Sequence, residues 1–209
     1  MSKEELWSML RDEILKCTKC RLHMYRKNPV PGEGPLTSKV MFIGEAPGAQ
    51  EDEEGRPFVG AAGKLLTELL EKYSIGRDNV FITNILKCRP PGNRDPMDDE
   101  VEACTPYLKR QIELIKPMFI VCLGRYSSNY ILSQAGVKFT SMSKARGRVY
   151  DVNIYGLNVE VYITYHPAAA LYKPPIREVL ELDFKKLSEM VKAKVKTGTK
   201  VTLNHFLRG

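Results

Sequence analysis

The chain has 209 residues, 43% of them hydrophobic and 27% charged, a size and balance that suit one folded domain with at most an appendage and exclude a wholly disordered chain. Thirty-two Lys and Arg against 25 Asp and Glu leave a net charge of +7, which favours a polyanionic partner such as nucleic acid. No run approaches the roughly 18 apolar residues of a membrane span, and Met1 to Cys17 lacks the apolar stretch and cleavage site of a signal peptide. An intracellular, cytoplasmic monomer without membrane contact is expected. Gln occurs only at positions 50, 111 and 134 while Lys and Glu are plentiful, a bias shared by heat-adapted proteins.

The chain opens on an amphipathic helix, Lys3 to Lys16, with Leu6, Leu10 and Ile14 at four-residue spacing. The apolar run Val40 to Ile43 reads as a first buried strand, and Val80 to Thr83, Phe119 to Leu123 and Val161 to Tyr165 as three more. Between the first two, Ala61 to Tyr73 places Leu65, Leu66, Leu69, Leu70 and Tyr73 on one helical stripe. Asp98 to Lys116 is a further helix, acidic at its start as the helix dipole prefers. Pro106 should kink it or delay its start. Arg125 to Gln134 closes at Gly136. Gly147 to Val161 alternates around Tyr155-Gly156-Leu157-Asn158, the pattern of a hairpin. A last helix spans Ile176 to Val191, and the Lys/Thr/Gly tract Lys192 to Lys200 reads as a flexible linker. Strands alternating with helices predict a three-layer α/β/α domain over residues 1–191, with a mainly parallel four-stranded sheet and a basic tail, 192–209.

In an open parallel sheet, ligands gather outside the carboxyl ends of the strands. Those ends run into Gly44-Glu45-Ala46-Pro47-Gly48, Asn84, Gly124-Arg125 and His166-Pro167. A turn residue and a loop histidine are unremarkable singly; converging on one rim, they mark a site. Gly60-Ala61-Ala62-Gly63-Lys64 has the look of a phosphate loop, but Phe58 stands where the first glycine belongs and Leu65 where Ser or Thr should hold magnesium. A nucleotide hydrolase is therefore excluded.

Cys17-Thr18-Lys19-Cys20 is a C-x2-C pair, and Cys88 and Cys104 add two more sulfurs just past the second strand and in the helix that follows. Four thiolates suit tetrahedral zinc or an iron–sulfur cluster, with disulfides or idle thiols as the alternatives. Cys122, inside the third strand, reads as a small buried hydrophobe. His23 is the one histidine near enough to substitute as a ligand.

Several segments, in order, resemble the family 4 uracil-DNA glycosylases: Gly44 to Gly48, Glu51-Asp52, Gly55 to Gly60, Thr83 to Pro91, and His166-Pro167-Ala168-Ala169. The resemblance runs from about Leu6 to Met190 and implies a DNA-repair hydrolase that flips uracil out of DNA, breaks its N-glycosidic bond and leaves an abasic site. It implies that Cys17, Cys20, Cys88 and Cys104 hold one 4Fe-4S cluster. Phe58 would stack on uracil, Asn84 would read its O4 and N3–H edge, and backbone groups of Glu45 and Ala46 would complete the grip. His166 would hydrogen-bond O2 as charge develops there. Glu45 and Glu51 are the carboxylates near enough to orient water or stabilise the sugar cation, with Glu51 preferred. Leu171 would wedge into the duplex after the base leaves. Independently, Lys138, Lys144, Arg146 and Arg148 lie in a stretch without acidic residues and would track phosphates. Two other functions remain open: a glycosylase of wider range, taking hypoxanthine or mismatched thymine, and a non-catalytic iron–sulfur DNA-binding protein.

The tail Lys200 to Leu207 resembles a sliding-clamp-binding peptide. Leu203 and Phe206 fall at its fourth and seventh positions, Lys200 replaces the usual Gln, and Leu207 replaces the second aromatic. A tail docked on its own domain is the alternative.

Overall fold

A computed structural model describes the backbone of residues 1–206 and the side chains of residues 1–194. Strands β1 (Val40–Gly44), β2 (Phe81–Asn84), β3 (Phe119–Leu123), β4 (Val149–Ile154) and β5 (Leu157–Thr164) form one sheet in the order β2-β1-β3-β5-β4. All neighbours are parallel except β4, which runs antiparallel to β5. The sheet thus has five strands rather than the expected four. The arm read as part of a hairpin is a full edge strand, with Val149 opposite Tyr162 and Ile154 opposite Leu157. Its turn, Tyr155-Gly156, takes φ of +54° and +80°, the left-handed pair that matches the twist of the strands it joins.

The helices are α1 (Lys3–Leu15), α2 (Ala49–Glu54), α3 (Ala61–Lys72), α4 (Asp98–Ile115), α5 (Arg125–Gln134), α6 (Met142–Ala145), α7 (Ala168–Tyr172) and α8 (Pro175–Phe206). Alternate strand residues feed two cores, one on each face of the sheet. Met41, Ile43, Ile120 and Cys122 pack with α1, α4 and α5. Val40, Phe42, Val121 and Tyr162 pack with α3 and α8. Leu65, Leu66, Leu69 and Leu70 of α3 are all buried, each stabilising the domain by about 1.5–3 kcal/mol relative to exposure.

α1 begins at Ser2, whose Oγ accepts the Glu5 N–H at 3.1 Å while Ser2 N–H donates to the Glu5 carboxylate at 2.6 Å, a reciprocal cap. Leu10 and Ile14 are buried, but Leu6 is exposed. Trp7 points inward instead, edge-on to Phe81 with ring centroids 5.4 Å apart. α4 runs unbroken through Pro106 from its start at Asp98, so the proline does not delay it. The missing N–H costs one intrahelical bond, and the buried stripe of Leu108, Ile112 and Ile115 outweighs that loss.

The expected linker at Lys192 to Lys200 is instead part of α8, whose backbone stays helical to Phe206. No proline follows Pro175, and the Lys, Ala and Val residues after Val191 tolerate helix; Gly198 opposes it most, by about 1 kcal/mol. The backbone of Leu203 and Phe206 therefore lies in this helix, while Leu207 lies outside the described residues.

Candidate active site

The carboxyl ends of β1, β2 and β5 open into a cleft of about 390 Å³ whose walls include Glu45, Ala46, Glu51, Phe58, Asn84 and His166. Every residue expected at the base therefore meets in one place. The first strand delivers Glu45 directly, because β1 ends at Gly44. β2 ends at Asn84 itself, and β5 ends two residues before His166.

Asn84 is 2% exposed, and its Oδ1 has no hydrogen-bond partner among the described residues. A buried amide oxygen left unpaired costs about 1–3 kcal/mol. Such an atom is tolerated where a ligand supplies the donor.

Phe58 holds a left-handed backbone, φ +52°, that a bulky residue adopts only under constraint. The constraint is visible. Arg77 donates through Nη1 to the Phe58 carbonyl at 3.0 Å and through Nη2 to the Pro57 carbonyl at 2.7 Å, while Glu33 anchors the guanidinium at 2.8 Å. At the start of α3, a Cβ on Gly63 would come within 2.0 Å of the Phe58 carbonyl group. The Phe58 ring is thereby set 5.5 Å from the His166 ring, centroid to centroid.

Glu51 sits on α2, a short helix the acidic run Glu51 to Glu54 did not reveal. Its Oε1 accepts N–H groups from Val59 at 2.9 Å and Gly60 at 2.8 Å, and its Oε2 accepts that of Gly48 at 3.1 Å. One carboxylate thus ties the Glu45–Gly48 turn to the Phe58 loop. Neighbouring Asp52 is buried and does similar work, accepting the Lys27 N–H at 2.9 Å.

Glu45 differs from Glu51 in having no N–H cage around its carboxyl among the described residues. Burial, reinforced by nearby Asp95 and partly relieved by Arg125, pushes its pKa up to about 7. His166 is shifted the other way. Burial disfavours the imidazolium and lowers its pKa to about 4, against the attraction of Glu51. His166 Nδ1 lies 3.1 Å from the Ala168 N–H and accepts from it. The neutral ring must then carry its proton on Nε2, as a donor.

Pro90, Asn93 and Arg94 also line the cleft; Pro90 had been quoted only within the motif Thr83 to Pro91, and sequence reasoning missed Asn93 and Arg94. Their signal was Gly92-Asn93-Arg94, which continues directly from that motif. Arg94 is held bidentately by buried Glu100, at 2.9 and 2.5 Å. Leu171 is 47% exposed on α7, and Lys138, Lys144 and Arg148 are exposed. Arg146 is otherwise engaged: its Nη1 donates to buried Asp183 at 2.6 Å.

The four cysteines Cys17, Cys20, Cys88 and Cys104 surround a second, small cavity between α1 and α4. None is disulfide-bonded. Two donors point at its sulfurs: Arg26 Nη1 lies 3.0 Å from Cys88 Sγ and the Lys87 backbone N–H 3.2 Å from Cys104 Sγ. Among the described residues, no three His, Cys, Asp or Glu side chains form a group able to hold a single metal ion. His23 lines the cavity, but its Nδ1 is engaged with the Cys20 carbonyl at 2.7 Å. Cys122 is fully buried in β3 and apart from the cavity.

A rim of strand ends carrying a flat aromatic ring, an unpaired amide and a neutral histidine donor defines a protein that binds a planar heterocycle. Comparison with known proteins agrees. The family model of the uracil DNA glycosylase superfamily matches residues 31–188. The chain is 54% identical over 202 residues to the type-4 uracil-DNA glycosylase of Saccharolobus solfataricus, covering 96% of this chain and 91% of the relative. It is 52% identical over 178 residues to that of Archaeoglobus fulgidus, covering 85% and 89%. To that of Thermotoga maritima it is 40% identical over 193 residues, covering 91% and 97%. The chain belongs to the uracil-DNA glycosylase superfamily, in its type-4 group.

Proposed function

We propose that the protein removes uracil from DNA, and that the unpaired Oδ1 of buried Asn84 is the atom that recognises it. Uracil offers a donor at N3 and an acceptor at O4, which an amide carbonyl and its NH2 satisfy together. Cytosine presents the reverse pattern and leaves both groups opposed. Phe58 stacks on the flipped pyrimidine, and the His166 ring sits close enough to the Phe58 ring to share that base.

Bond breaking transfers the glycosidic electron pair to the base, leaving negative charge on uracil O2 and positive character at C1′. His166 Nε2–H donates to O2, and a histidine that stays neutral does so without itself giving up a proton. Glu45 as carboxylate stabilises the sugar cation and orients the water that adds its oxygen to C1′; the water's proton leaves to the carboxylate. Glu51, its oxygens already shared among three backbone N–H groups, serves by positioning the loops. Of the two carboxylates first considered for orienting water, this assignment takes Glu45 where Glu51 had been preferred.

Cys17, Cys20, Cys88 and Cys104 hold a 4Fe-4S cluster on this reading. The four residues fit such a cluster: all line one cavity, and the N–H donors from Arg26 and Lys87 would stabilise anionic sulfur. When bound, the cluster would cross-link the segment after α1, the loop after β2 and α4. Lys138, Lys144 and Arg148 follow the phosphates, Leu171 fills the space the base vacates, and the monomer works on DNA in the cytoplasm. Leu203, Phe206 and Leu207 of the tail recruit a sliding clamp. Oligonucleotides carrying one uracil, one hypoxanthine or one T·G mismatch, scored for alkali-labile abasic sites, test the function. Cleavage at uracil alone is expected; cleavage at none leaves only the non-catalytic DNA-binding alternative.

A further inference from the structure

Next to Asn84, outside the cleft and bordering the cysteine cavity, lies a buried polar cluster whose side chains the chemistry above does not use. Lys87 is 1% exposed, and Thr83 and Gln111 are fully buried. Lys87 Nζ donates to Thr83 Oγ1 at 2.6 Å, to the backbone carbonyl of Asn84 at 2.7 Å and to Gln111 Oε1 at 2.7 Å. Gln111 Nε2 donates onward to the Pro31 carbonyl at 2.6 Å, and Thr83 Oγ1 to the same carbonyl at 3.1 Å. The Lys87 head group is thus committed to three neutral oxygens.

A lysine head removed from water is costly unless something is gained by it, and an apolar side chain would fill the space more cheaply. No carboxylate forms an ion pair with Lys87 among the described residues. What the group does hold is the carbonyl of Asn84, the last residue of β2. The rest of Lys87 is equally fixed: its N–H donates to Cys104 Sγ at 3.2 Å and its carbonyl accepts the Val30 N–H at 2.7 Å. The Asn84 amide oxygen, by contrast, has no partner among the described residues. Its aim therefore depends on the backbone that carries it.

We infer that Lys87 is a positioning residue for uracil recognition, holding the peptide of Asn84 so that its side-chain amide meets the base in one orientation. The inference rests on the reading of Asn84 as the residue that recognises uracil. Lys87 acts through Asn84 and touches neither base nor sugar, so its contribution disappears when the amide is absent.

A double-mutant cycle tests this, using full-length wild type, Lys87→Met, Asn84→Ala and the double variant. Single-turnover excision from a duplex with one uracil is measured for each, with absorbance near ~400 nm as the check on an intact cluster. Lys87→Met should slow excision about 30-fold in the wild-type background and less than about twofold in Asn84→Ala. Absorbance and affinity for undamaged DNA should not change. Equal loss in both backgrounds, no loss in either, or bleached protein would overturn the inference. If Asn84→Ala alone excises uracil normally, the reading of the site falls instead. Should Lys87→Met fail to fold, Lys87→Gln, which keeps a polar head, is read in the same cycle with the same outcomes.

Discussion

A β-carbon placed on Gly44 would stand 2.3 Å from Asn84 Oδ1 and 2.7 Å from Phe58 Cζ. The glycine at the end of β1 is therefore what lets the amide and the ring approach the same point. Its backbone φ is unexceptional, so contact and not conformational freedom excludes a side chain here. Gly44→Ala should displace both groups and lower uracil excision by about a hundredfold, a loss comparable to a mispositioned reacting group. Single-turnover kinetics beside a DNA-binding titration check this, with binding to undamaged DNA expected to hold.

Glu45 and His166 of the cleft separate by pH. Glu45, raised to about 7, must be ionised to act, so excision should climb with pH to a break near 7 and then level. Glu45→Gln should be slow and flat across that break. His166, lowered to about 4, adds no second break in the range from 5 to 8.

Stability follows the same shifts with opposite signs. Between about 4.5 and 7 folded Glu45 keeps a proton the unfolded chain releases, so its contribution to stability falls as pH rises through that window. Between 6.5 and about 4 the unfolded chain protonates His166 and the folded state does not, so stability falls as pH drops. Melting curves of Glu45→Gln and His166→Asn against pH should remove one slope each.

Glu51→Gln should show that this carboxylate works by holding loops. The amide can still accept from Val59 and Gly60, but its NH2 then faces the Gly48 N–H, donor against donor. A buried donor left unmet costs about 1–3 kcal/mol, and denaturant unfolding should register that loss. The pH profile of the residual excision should keep the wild-type break. A vanished break would return the water-orienting role to Glu51.

Much of this was legible because buried parallel strands read as unbroken apolar runs, and their ends point at the ligand. Gly44, Asn84 and His166 could be found that way without any contact being known. β4 was harder, since its half-exposed residues alternate and its pairing with β5 makes it a sheet edge and not a free hairpin. Arg146 looked like a phosphate contact because its partner, Asp183, lies 37 residues away in α8. Lys87 was read only as one letter of a motif; a lysine is normally solvated, and its burial depends on Thr83 and Gln111 meeting it in space. The helix across Lys192 to Lys200 was obscured by a glycine and the absence of an apolar stripe.

The cysteine cavity predicts colour and its loss. Cys88→Ser should abolish the absorbance near ~400 nm and lower the melting temperature, since the proposed cluster would tie the segment after α1 to α4. Cys122→Ala, a change in the opposite part of the same core, should keep the colour. Stoichiometric zinc in a colourless anaerobic preparation would replace the cluster with a single ion.

The central claim is that Asn84 Oδ1, buried and unpaired, accepts the N3–H of uracil. The direct measurement compares single-turnover excision of uracil and of N3-methyluracil placed at the same position in the same duplex. The methyl group removes the donor and leaves the amide oxygen unpaired, so excision of N3-methyluracil should be slower by at least about a thousandfold. Rates within a few-fold of each other would mean that Asn84 does not read the base.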